Sequence, residues 1–215
     1  MGGRTSKLSM KLSVLRSKLL LISFAAALVV GVIKKLSDNF TEQERTEKKL
    51  EVAVGKVNTS LLNQASALQQ ATTFGDEAII NVQALIASFT DDEKAIKLAT
   101  KATLDLAAAK GMELNSAADL VSKTLGSSTN SLSRYGITVE GAVGSSKRLE
   151  SLTSNIATLF GGQAAAAADT LGGSVSQMAN AMGDANEAVG QAFAPTIQKL
   201  ANFLRKLLKR LKNFS

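Results

Sequence analysis

Apolar positions along this chain recur at three- and four-residue intervals, so the elements they predict are helices. Leu50, Val54, Val57, Leu61, Gln64, Leu68 and Ala71 follow one another at spacings of 4, 3, 4, 3, 4 and 3, the a/d rhythm of a coiled coil. Two arrangements satisfy that rhythm: a seam between chains, with Gln64 setting the register, or a helix packed antiparallel within its own chain. Ile79, Val82, Ile86 and Phe89 give the next helix one apolar face. Thr90-Asp91-Asp92-Glu93 then supplies a capping residue and first-turn acids for a helix predicted to run to Lys110, with Gly111 suited to the left-handed C′ position. A further helix is predicted to start after Asn115 or Ser116 and to end at Leu125, before Gly126. Residues 127–144 look looser, with Gly136, Gly141 and Gly144 around Tyr135, and Ile137-Thr138-Val139 reads as a short extended piece. Leu149, Leu152, Ile156, Leu159 and Phe160 stripe another helix that stops at Gly161-Gly162. Alanines 164–168 favour helix by propensity, Gly172-Gly173 reads as an interruption, and a second seven-residue rhythm follows. Leu171, Val175, Met178, Met182, Ala185, Val189 and Ala192 again alternate spacings of 4 and 3. Ala179, Ala181 and Ala188 beside this seam permit close helix approach, and Pro195 is predicted to end or kink it.

The two ends of the chain read differently from the middle. Residues 19–33 carry no charge, and as a helix they cover about 22 Å, short of the roughly 30 Å hydrocarbon core of a bilayer. Lys18 and Lys34 extend that reach by snorkelling. Three readings stay open: a marginal membrane span, a buried helix in an oligomeric bundle, and the apolar region of a cleaved signal. The candidate membrane contacts are Leu19, Leu20, Leu21, Ile22, Phe24, Leu28, Val29, Val30, Val32 and Ile33. The last segment is amphipathic: Ile197, Leu200, Phe203, Leu204, Leu207, Leu208, Leu211 and Phe214 fall opposite Lys199, Arg205, Lys206, Lys209, Arg210 and Lys212. It fits an interfacial membrane helix or a terminal helix docked with its basic face in solvent.

Charge sharpens this division. Residues 1–35 hold seven bases and no acid, residues 36–195 hold all 18 acids against 12 bases, and residues 196–215 add six bases. An acidic middle between basic ends argues against a nucleic-acid groove through the centre, and no specific nucleic-acid site is expected. Cysteine and histidine are both absent, which removes disulfides, thiolate metal sites, imidazole bases and ordinary zinc sites. Aromatics are 4% of the chain, leaving few of the rings that bury the most area, so loosely bundled Ala/Leu/Ser helices are expected in place of a dense core. Asp91-Asp92-Glu93 and Asp76-Glu77 stand where helix starts favour negative charge, and Glu140, Glu150 and Asp169 have no spacing for paired acid–base work. Leu171-Gly172-Gly173-Ser174-Val175 lacks the Gly-Lys-Ser/Thr of a phosphate loop. No catalytic residue, cofactor or metal ligand is assigned, and an enzyme is not expected.

Several separate phrases carry a resemblance. Gln69-Gln70-Ala71-Thr72-Thr73-Phe74-Gly75-Asp76-Glu77-Ala78-Ile79-Ile80, then Ala95 to Lys123 with Leu104-Asp105-Leu106-Ala107-Ala108 and Ala117-Ala118-Asp119-Leu120-Val121, then Leu132-Ser133-Arg134-Tyr135-Gly136-Ile137, and finally Gln191-Ala192-Phe193-Ala194-Pro195-Thr196-Ile197 occur in order. Together, over roughly residues 69–204, they resemble the tail length tape-measure proteins of tailed bacteriophages. The resemblance implies an elongated, mostly helical virion protein that acts as several copies in the lumen of the tail tube. It implies assembly in the host cytoplasm with a tail-tube protein and tail assembly chaperones, and hydrophobic segments that help the genome across the host inner membrane. It supplies no catalytic residue. Fully helical, 215 residues span about 320 Å, short for the ruler of a long tail, so a fragment or short form of the family is implied.

The resulting expectation is an all-α fold of elongated helices and one helical module, with coiled-coil-like seams and an oligomeric state. It divides the chain into a basic N-terminus with a hydrophobic helix (1–36), a coiled-coil-like helix (37–73), a compact helical module (74–144), Ala/Gly-rich helices with a seam (145–194) and a cationic C-terminal helix (195–215). Self-association is assigned to Leu50, Val54, Val57, Leu61 and Leu68 on the first seam and to Leu171, Val175, Met178, Met182 and Val189 on the second. The competing expectation is a membrane-active helical protein, holin-like or pore-forming, drawn from residues 19–33 and the cationic C-terminal helix.

Overall fold

The computed structural model describes Gly31, Lys34, Asp38 and residues 40–212, with the side chains at 200, 201, 203–205 and 207–212 outside that description. All regular structure among the described residues is helical, and they contain no strand. α1 is helical through residues 40–54, followed by α2 (Thr59–Ala71), α3 (Asp76–Ala87), α4 (Glu93–Lys110), α5 (Leu114–Gly126), a 3₁₀ turn (Ser133–Tyr135), α6 (Ser146–Phe160), α7 (Gln163–Ala168) and α8 (Leu171–Lys212). The chain divides into two units: Thr41–Ala185, and Met1–Phe40 together with Asn186–Ser215.

Helix boundaries in the Thr41–Ala185 unit follow capping chemistry. The Asn58 side chain accepts from Leu61 N at 3.1 Å and starts α2. Asp92 accepts from Lys94 N and Ala95 N and starts α4, which ends with Gly111 at φ 58°. Ser145 accepts from Arg148 N at 3.2 Å and starts α6. Each cap satisfies a backbone N–H that the first helical turn leaves without a partner. The cap, Asp92, falls within the Thr90–Glu93 stretch expected to start this helix, and the helix ends at Lys110 with Gly111 in the left-handed conformation, as predicted.

α4 is the centre of this unit and packs against α3, α5, α6 and α7. Ile96, Ala99, Ala102, Leu104, Leu106 and Ala107 are all buried along it. Buried Thr100 and Thr103 hydrogen-bond back to the carbonyls of Ile96 and Ala99, so their hydroxyls need no partner from a neighbouring helix. The largest fully buried side chains are all Leu or Ile, among them Leu61, Ile79, Ile86, Ile96, Leu152 and Ile156. Scarce aromatics therefore do not prevent a core. Ala65, Ala99, Ala117 and Ala118 are buried between these aliphatics, and their small side chains let helix axes approach closely enough for dense contact. Loosely bundled helices are the expectation this corrects.

The loop over residues 127–144, expected to be loose, is pinned. Leu132 and Ile137, from the loop between α5 and α6, are both fully buried. Asn130 holds that loop by donating to Ile137 O at 2.7 Å and accepting from Leu132 N at 3.0 Å. No partner strand is involved. At the other end of the unit, the buried Asp105 carboxylate accepts from Ala164 N at 3.0 Å and caps α7 from across the helix interface. Replacing Asp105 by alanine should leave that N–H orphaned and cost about 1–2 kcal/mol in a denaturant titration.

Pro195 lies inside α8, where it neither ends the helix nor opens a separate C-terminal element at residue 195. It removes one backbone donor, a cost of order 3 kcal/mol in a helix interior. Good helix formers on both sides, including Ala192, Ala194, Gln198 and Lys199, continue the helix past it. Residues 73/74 and 144/145 both fall within the Thr41–Ala185 unit.

Candidate self-association surface

The two seven-residue rhythms have opposite fates. The first does not lie on one helix. Gly55, at φ 79°, and Asn58, as the cap of α2, separate residues 40–54 from Thr59–Ala71. Leu50 and Leu61 are buried in the core, while Val54 and Leu68 pack against it half-buried. Val57 stands in the turn, 65% exposed. Leu50, Val54, Leu61 and Leu68 are brought together by chain reversal and spent within their own unit, with Val57 left outside, so the reading of 37–73 as one coiled-coil-like helix is corrected.

The second rhythm lies on a single helix. Thr170 starts α8 by accepting from Gly173 N at 2.9 Å, which places Gly172 and Gly173 in the first turn where an interruption was predicted. A β-carbon on Gly173 would run into the carbonyl oxygens of Ala167 and Ala168, so only glycine allows the α7–α8 corner to close this tightly. From there Leu171 is 84% exposed, Val175 54%, Met178 66% and Met182 67%. Val189 and Phe193, farther along the same helix, are also exposed. Phe193 is absent from the predicted seam, whose step of three after Val189 selects Ala192.

What holds α8 to the rest of the Thr41–Ala185 unit is polar. Gln177 Nε2 donates to Gln70 O at 3.0 Å, Asn180 Nδ2 donates to Thr73 O at 3.4 Å, and Gln69 Nε2 donates to Asp184 Oδ2 at 2.7 Å. At about 100° per residue, Gln177, Asn180 and Asp184 fall on the opposite side of the helix from Leu171, Val175, Met178 and Met182. The helix is inside-out: its polar side meets the body and its apolar side meets solvent. A helix built only to close its own core would be turned the other way.

Several of the acidic groups set aside in the sequence have structural partners. Asp92 is the cap described above. Glu93 accepts from Lys97 at 2.8 Å and from Ser60 at 2.6 Å. Those hydrogen bonds, Lys97 first, then Ser60 and Asn58, hold its carboxyl down to about 2. Glu140 pairs with Lys147 at 3.3 Å on the surface. Asp76-Glu77 is more than a helix start. Asp76 is half-buried and lies close to Gln43, Gln69 and Asp184, a grouping that adjacency in sequence could not indicate.

The predicted membrane contacts Leu19, Leu20, Leu21, Ile22, Phe24, Leu28, Val29, Val30, Val32 and Ile33 lie outside the described residues. Among the described residues no helix is long and apolar enough to cross a membrane. No protein-family model, curated protein or solved structure matches this chain.

Proposed function

We propose that this chain is a structural component of a bacteriophage tail, of the tape-measure type, acting as an assembling scaffold and not as a catalyst. The observation that carries the reading is the inside-out α8, with Leu171, Val175, Met178 and Met182 exposed in seven-residue rhythm. Such a stripe costs solubility unless a partner covers it, and a repeat of seven matches a second helix of the same kind. The phrases resembling tape-measure proteins are consistent with this. Gln69–Ile80 forms the corner between α2 and α3, Ala95–Lys123 forms most of α4 and α5, and Gln191–Ile197 extends α8. The partners in this reading are further copies of the chain, a tail-tube protein and tail assembly chaperones. The place of action is the tube lumen, with contact to the host inner membrane at infection.

The ruling role is tested by in-frame deletion of 21 residues from α8, which preserves the phase of the seven-residue rhythm. Electron microscopy of the resulting tails should show them shorter by about 32 Å, from 1.5 Å per residue. Tails of unchanged length would remove the ruler. Tails that assemble normally without the chain would remove the scaffold as well.

A further inference from the structure

Where the first half of α1 meets the start of α3, two buried oxygens have no hydrogen-bond partner: Asp76 Oδ1 and Gln43 Oε1. They belong to groups already in contact. Gln43 Nε2 donates to Asp76 Oδ2 at 3.4 Å and to Glu47 Oε1 at 2.9 Å, so both of its hydrogens are used. Turning the Gln43 amide over gives no relief, because its carbonyl oxygen would then face the oxygens of Glu47 and Asp76. A buried acceptor without a donor is unfavourable, and this contact holds a pair of them.

The two orphans are the missing corners of a pattern that a carboxylic acid and a primary amide form together. In it the amide N–H donates to one acid oxygen, and the O–H on the other acid oxygen donates to the amide oxygen. A single proton on Asp76 supplies the missing donor and satisfies both orphans. The hydrogen bond it makes runs from α3 to α1, and it does not exist when the carboxyl is ionised.

We propose that Asp76 and Gln43 form a proton-operated catch, which holds the first half of α1 on α3 while Asp76 is protonated and opens as it ionises. Little else of a polar kind joins these helices there. Thr46, also buried, spends its hydroxyl on the carbonyls of Glu42 and Gln43 in its own helix. Lys49 reaches Asn81 of α3 at 3.5 Å, on the exposed surface, and Leu50 anchors the second half of α1 in the core. The groups around Asp76 do not favour its anion. Glu77 follows it on α3, Glu47 is reached through Gln43 on α1, and α2 contains no ionisable residue. Gln69 accepts from Asp76 N and donates to Asp184 of α8, each at 2.7 Å. None of the ion pairs among the described residues includes Asp76. Burial, and secondarily the Glu77 carboxylate, push Asp76 up to about 6 from its ordinary 3.8. The favourable field of the α3 N-terminus does not offset that desolvation. The docked state therefore binds more protons than the opened one. The proton's contribution to docking is complete below about pH 4 and is lost as pH rises through about 6. This inference stands independently of the tape-measure reading.

The test is amide hydrogen exchange on the whole chain, read residue by residue by NMR and corrected for the intrinsic pH dependence of exchange, so that even rare openings are counted. Between pH 5 and pH 7.5, protection of the α1 amides at residues 43–47 should fall roughly tenfold. Protection along α4, Glu93–Lys110, should hold. Asp76→Asn puts an amide N–H in place of the acid proton, so α1 should stay protected at both pH values. Gln43→Met keeps the bulk but removes the amide, and should lose most of the step. A wild-type chain without the step, α4 amides that fall with those of α1, or a Gln43→Met chain that keeps the whole step would overturn the catch.

Discussion

Replacing Arg148 by alanine is expected to destabilise the Thr41–Ala185 unit by about 3–5 kcal/mol. Arg148 is 5% exposed and has no carboxylate partner among the described ion pairs. It spends its guanidinium on three carbonyls: Nε donates to Thr124 O at 2.7 Å, Nη2 to Ser127 O at 2.8 Å and Nη1 to Gly141 O at 3.1 Å. The first two close the C-terminal end of α5, where a positive charge is favoured by the helix field. The third ties down the long loop before α6. Gly141, at φ 100°, lets the backbone approach so closely that a β-carbon there would stand 2.7 Å from Arg148 N. Truncation would strand the buried Thr124 carbonyl and two partly buried ones and leave a void, whereas replacement by lysine keeps the charge but not the fork that reaches all three. Urea titration should place the alanine variant far below wild type and the lysine variant between them. Loss of under 1 kcal/mol in the alanine variant would mean that the loop is held by Leu132 and Ile137 alone.

The positions of helix starts and stops were largely legible because they rest on local chemistry. Asp92 and Gly111 enclose α4 through a side-chain acceptor and a left-handed glycine, and both signals operate within a few residues. Partner choice was less legible, and the first seam shows why. Over three turns, the 3.5-residue period of a coiled coil and the 3.6-residue period of a core-facing helix are nearly indistinguishable. Leu50 and Leu61 satisfy both descriptions. The deciding signal was the interruption itself: Gly55 followed by Asn58 is a helix stop and a helix cap three residues apart, and it outweighs apolar spacing on either side. At Pro195, predicted to end or kink its helix, the structure excludes the ending, since its local preference yielded to the helix formers around it. The carboxyl group at the α2–α3 corner was invisible for a different reason. Asp76 and Asp184 are more than 100 residues apart in the chain, and adjacency to Glu77 described only the helix start.

Charging the exposed stripe of α8 should separate assembly from folding. In a Met178→Asp, Met182→Asp chain, two side chains that are 66% and 67% exposed are altered, so the folded unit should change by no more than about 0.5 kcal/mol. Association should change far more. Each methionine buried between chains contributes about 1.5–3 kcal/mol, both partners lose two, and the introduced carboxylates face one another. The dissociation constant should rise by at least roughly a thousandfold, read by sedimentation as an oligomer becoming a monomer. Leu61→Asp provides the contrast, because Leu61 is 0% exposed and belongs to the seam that is spent internally. It should unfold the unit before any change of assembly can be seen. If wild-type chain sediments as a monomer at high micromolar concentration, or if the charged variant assembles as wild type does, the stripe is not where copies meet. The two seams, alike in spacing, would then differ only in burial, and the inside-out orientation of α8 would require an occupant of another kind.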